Sequence, residues 1–76
     1  MGDETLTLGQ YRVGLDFNPG NNPEVTEIKH AAAHLIDLVE KYKGNGPEVA
    51  RLAALAQTGF EDAAMWAVKA ATKKVR

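Results

Sequence analysis

Residues 47–74 read PEVARLAALAQTGFEDAAMWAVKAATKK, and the periodicity of this stretch decides the fold. Pro47 suits a first helical turn, where its missing N–H costs nothing. Beyond it Val49, Leu52, Ala56, Gly59, Ala63, Trp66 and Ala70 recur at spacings of three and four, the signature of one stripe on a helix. A second stripe, Ala53, Phe60, Ala64, Ala67 and Ala71, runs beside the first. At 1.5 Å per residue the helix reaches roughly 40 Å. One partner helix covers one stripe, so the other must meet another copy or another protein. Trp66 is expected in core or interface, and Phe60 at a contact between copies. Gly59 and the alanines would allow helices to approach closely. Lys69, Lys73, Lys74 and Arg76 suit the negative end of the helix dipole.

The partner lies just upstream, over residues 23–43. Asn22 is a good N-cap and Pro23 a good first residue. Val25, Ile28, Ala32, Leu35, Val39 and Tyr42 form its stripe, widened by Ile36 and Leu38. Gly44-Asn45-Gly46 then reverses the chain. Residues 1–22 form an arm and loop. Within them Tyr11, Val13, Leu15 and Phe17 alternate with Arg12, Gly14 and Asp16, a period-two pattern that fits an extended arm or a paired strand. Asn18-Pro19-Gly20-Asn21-Asn22 is dense in turn formers. The fold class is therefore all-α: one domain over 1–76, an antiparallel two-helix hairpin with an extended N-terminal arm, assembled into a helical homo-oligomer.

Bulk composition supports that assembly. A chain of 76 residues sits near the lower size limit for a self-sufficient core. Cysteine is absent, which leaves oligomerisation as the way to bury more surface. A formal net charge of −1 argues against general binding of DNA or RNA polymers, which calls for a strongly basic face. No apolar run is long enough for a bilayer span. The acidic, polar MGDETLTLGQ is not expected to act as a signal peptide.

Catalytic chemistry finds few candidates. Serine is absent along with cysteine, and no threonine, lysine or tyrosine sits in a base-paired setting. Glu61 and Asp62 are adjacent and so diverge around the helix. His30, His34 and Asp37 share a helical face. Two such histidines can join a zinc site when further ligands complete it; otherwise they form a polar strip, with Asp37 accepting a bond from an imidazole. Tyr11 beside Arg12, outside the helices, is an aromatic face plus a cation, the minimum for stacking a base and holding its phosphate. The same tyrosine could equally anchor the arm to the core.

FNPGNNPEVTEIKHAAAHLIDLVE, a short loop, then EVARLAALAQTGFEDAAMWAVKAATK resembles the phage-encoded sponge proteins that counter cyclic-oligonucleotide-based (CBASS) and Thoeris defence. The resemblance covers residues 17–74, and FEDAAMWAVKAATK is its most specific part. It implies a compact helical oligomer, a hexamer in typical members, acting in the cytoplasm of an infected bacterial host. It implies binding of cyclic di- and trinucleotides, or of cyclic ADP-ribose derivatives, without cleavage and without a cofactor. In the family a tyrosine near the N-terminus stacks on a base and a lysine of the first helix meets a phosphate. The matching positions are Tyr11 and Lys29, the latter in EIKHAA. Basic residues of the last helix contribute elsewhere in the family, and Lys69 with Lys73 stand there. The competing expectation is a helical hairpin that only oligomerises or docks a protein.

Overall fold

The computed structural model describes residues 6–18 and 20–73. Three α-helices follow in order: α1 (Leu8–Val13), α2 (Pro23–Glu40) and α3 (Pro47–Thr72), with a 3-10 turn at Lys41–Gly44 between the last two. Among the described residues there is no strand. The helices α2 and α3 pair as an antiparallel hairpin, and α1 lies across one side of it. The result is a slab of 47 × 33 × 12 Å. The hairpin forms a plate with two broad sides, and α1 occupies only one of them.

The extended arm expected over 11–17 is instead helix and turn. Thr7 caps α1 by accepting the Gln10 amide, while the Gln10 side chain accepts the Thr7 amide, a reciprocal capping box. Gly14 ends the helix at φ 66°, ψ 53°, the left-handed conformation that an L side chain resists. These two signals outweigh the alternating pattern, which straddles the end of α1 and the turn after it.

The stripes were expected in a different phase. In α2 the buried positions are Val25, Lys29, Ala32, Ala33 and Ile36. In α3 they are Ala53, Gln57 and Ala64, with Phe60 half-buried beside them. The seam is thus the row assigned to the second stripe, and Phe60 packs within the chain. Trp66, placed in core or interface, is 63% exposed, and Leu52 is 50% exposed. Gln57 lies half a turn from Trp66 and is fully buried at the centre of the seam. Its Nε2 donates to the Ile36 carbonyl (3.0 Å) and to Glu40 Oε1 (2.9 Å), while its Oε1 has no partner. Gly59 has open space around it, whereas a Cβ on Gly9 would lie 2.1 Å from the Ala33 carbonyl oxygen. The close approach in this chain is α1 on α2.

With a quarter to a third of a turn between neighbouring rows, the side of the plate away from α1 carries Ile28, Leu35 and Val39 of α2. It also carries Val49, Leu52, Ala56, Ala63 and Ala70 of α3. Leu35, Val49 and Leu52 stand exposed there.

Candidate ligand groove

Three polar ties hold α1 on the hairpin, and together they build one wall of a groove. The Gly9 amide donates to Asp37 Oδ1 at 2.7 Å. Arg12 Nε and Nη2 both reach Glu61 Oε1 at 2.9 Å, and Nη2 also donates to Thr58 Oγ1 at 3.3 Å. Lys29 Nζ donates to the carbonyls of Gly14, at 2.9 Å, and Phe17. Its ammonium also lies 5.4 Å from the Phe17 ring centroid. A buried ammonium needs such partners to offset lost hydration. The α2 seam tolerates a lysine because the turn after α1 supplies carbonyls above it. An ammonium carries three donors, so two carbonyls leave one direction open.

The groove opens between α1, the turn at Gly14–Phe17 and the C-terminal half of α3, with a volume of about 700 Å³, within the range of small-molecule sites. Tyr11, Arg12, Lys29 and Lys69 all line it, so four of the five candidate site residues share one hollow. Lys73 does not. α3 ends at Thr72, whose hydroxyl bonds back to the Val68 carbonyl at 2.9 Å, and Lys73 leaves the helix in extended conformation. Lys74 and Arg76 lie outside the described residues.

The aromatic content exceeds what the sequence singled out. Tyr11 is 70% exposed and Phe17 74%, and Trp66 also lines the hollow. Lys69 Nζ sits 5.3 Å from the Trp66 ring centroid. Three π faces and three cations around one concavity can stack bases and meet phosphates at the same time. Glu61 and Asp62 also line it, so the described residues of the groove carry a net of one positive charge. The signal for Trp66 was its helical phase. It stands nine residues, or two and a half turns, past Gln57, and so points away from the seam once Gln57 is known to occupy it.

The histidines lie apart from this site. His30 and His34 are exposed, and Asp37 serves the Gly9 amide rather than an imidazole. Among the described residues no three His, Cys, Asp or Glu side chains are grouped to hold a metal ion. Outside the groove, hydrogen bonding from Gln57, then from Lys43, holds the Glu40 carboxyl below its ordinary value.

The family model described as "Acb2/Tad1, hairpin domain" matches residues 10–72, a span that includes every residue of the groove. No curated protein and no solved structure matches the chain.

Proposed function

The chain belongs to the Acb2/Tad1 hairpin family, the anti-CBASS and anti-Thoeris sponge family, and from that premise we propose that it sequesters cyclic oligonucleotide messengers without cleaving them. The observation that carries this reading is the single groove that gathers Tyr11, Phe17 and Trp66 with Arg12, Lys29 and Lys69. Cyclic di- and trinucleotides, and cyclic ADP-ribose derivatives, combine flat bases with anionic phosphates in one compact ring. Tyr11 offers a face for a base. The third donor of Lys29, with Lys69, offers charge-assisted bonds to phosphate. Lys73 enters only if a neighbouring copy brings it to the hollow.

The apolar side away from α1 supports assembly into a homo-oligomer, with a hexamer the family-based expectation. Assembly would also fix the hairpin that carries the groove, so little ordering cost would remain when a ligand binds.

The test is a calorimetric titration with cyclic di- and trinucleotides and cyclic ADP-ribose isomers, followed by destruction of the protein and chromatography of the released ligand. Stoichiometric binding and intact ligand are expected. Tyr11→Ala should weaken binding by about 1–3 kcal/mol per stacked base. Linear nucleotide accumulating beyond one equivalent per site would overturn the sponge. Assembly with no ligand bound would leave the hairpin as an oligomerising or docking module.

A further inference from the structure

Among the described residues Arg12 is the one guanidinium lining the groove, and a carboxylate of the same chain already occupies it. We propose that Glu61 is a specificity-determining residue: a resident anion that a ligand phosphate must displace from Arg12, so that the groove rejects singly charged ligands. This inference rests on the nucleotide-binding reading above.

The contact is built for exchange rather than for permanence. Both Arg12 bonds to Glu61 converge on the single oxygen Oε1, so the guanidinium is not held in the two-oxygen fork it makes with a fully engaged carboxylate. The side chains are 23% and 36% exposed, within reach of an incoming ligand. Thr58 holds Arg12 from α3 as well, so α1 keeps a tie to the hairpin while Glu61 lets go. A phosphate offers the same charge-assisted geometry as the carboxylate it replaces.

The consequence for selectivity follows from charge. Among the described residues three cations against Glu61 and Asp62 leave a net of one positive charge. A ligand with one phosphate trades one anion for another at Arg12 and gains little. A cyclic dinucleotide displaces Glu61 with one phosphate and still has a second for Lys29 or Lys69. Glu61 thereby sets a minimum ligand charge, at a cost in affinity for every phosphate-bearing ligand.

Glu61→Gln keeps an oxygen for Arg12 Nε and so keeps α1 docked, yet removes the competing charge. Calorimetry with cyclic di-AMP and cyclic di-GMP, and with cyclic AMP as the singly charged comparator, should show tighter binding of all three to this variant. The gain should be about tenfold, be no smaller for the cyclic dinucleotides than for cyclic AMP, since each displaces Glu61 once, and shrink as salt screens the pair. Glu48→Gln makes the same charge change at the Glu48–Arg51 pair outside the groove and should change affinity by less than about twofold. In an Arg12→Gln background the Glu61→Gln gain should vanish. Circular dichroism checks that the helices persist. Unchanged or weaker binding by Glu61→Gln, an equal gain from Glu48→Gln, or a gain that survives loss of Arg12 would each overturn the proposal. Wild-type binding with no gain would sink this inference alone. No binding by either chain would sink it together with the nucleotide-binding reading.

Discussion

The two broad sides of the plate are made by the same pair of helices, yet they hold what they carry by opposite means. On one side α1 is fastened by directional contacts: the Gly9 amide to Asp37, Arg12 to Glu61 and Thr58, and Lys29 to two carbonyls. The other side presents aliphatic surface, with Leu35, Val49 and Leu52 exposed. Polar ties fix geometry and can be exchanged for ligand contacts. Apolar surface fixes no geometry by itself but favours burial wherever a complementary surface is offered. The difference teaches a division of labour. The groove side is suited to recognition and the bare side to association, so damage to one should leave the other readable.

Gly9→Ala should have the largest effect. Its Cβ would meet backbone atoms of Ala33, at 2.1 Å from the oxygen and 2.8 Å from the carbonyl carbon and Cα, and backbone cannot step aside as a side chain can. The cost should reach at least about 3 kcal/mol, the upper end for overpacking. Denaturation should show that loss, and limited proteolysis should cut α1 early. Association should persist, because the bare side is untouched. Wild-type stability would break the claim that close backbone approach seats α1.

Lys29→Met comes next. It keeps an aliphatic stem in the seam but strips the Gly14 and Phe17 carbonyls of their donor, a loss of about 1.5–3 kcal/mol for bonds from a charged group. The urea midpoint should fall accordingly, with nucleotide affinity falling as well. A drop in affinity at full stability would mean that this lysine serves the ligand alone.

Leu52→Lys probes the bare side. Half of this side chain remains to be covered, so burial against another copy is worth roughly half of the 1.5–3 kcal/mol of a fully buried leucine. Light scattering should report a lower mass, with helicity unchanged. Full-mass assembly would move the interface elsewhere.

The smallest effect is at acid pH. The Gln57 bond is the main cause of the depressed Glu40 carboxyl, with Lys43 second. The contribution is therefore complete above the ordinary value of 4.5 and is lost as pH falls through the lower folded value. Gln57→Met should flatten that part of the stability profile, and an unchanged acid limb would show that the bond contributes little to the seam.

How much was legible in advance varied by residue. The hairpin could be read because Pro23, Pro47 and the Gly44–Gly46 turn punctuate two long amphipathic runs. Helix α1 is harder to read: Thr7, Gln10 and Gly14 spell its caps, but the alternation over 11–17 points to extended chain. Of the candidates Tyr11, Arg12, Lys29, Lys69 and Lys73, the first four line the groove and Lys73 does not. Trp66 and Phe17 were not named, because an aromatic in an apolar row reads as core until the phase of that row is known.

By itself the sequence determined that its two long segments are helical, that they pair, and that their apolar surface exceeds what one pairing can cover. Those properties follow from local periodicity and caps. Only tertiary structure decided which row faces inward. Two overlapping stripes differ by a fraction of a turn, and the choice between them rests on contacts distant in sequence. Gln57 can enter the seam because the Ile36 carbonyl and Glu40 meet its amide. Lys29 can enter because Gly14 and Phe17 turn their carbonyls toward it. With those two polar residues inside, Trp66 faces outward, and the groove beside it exists.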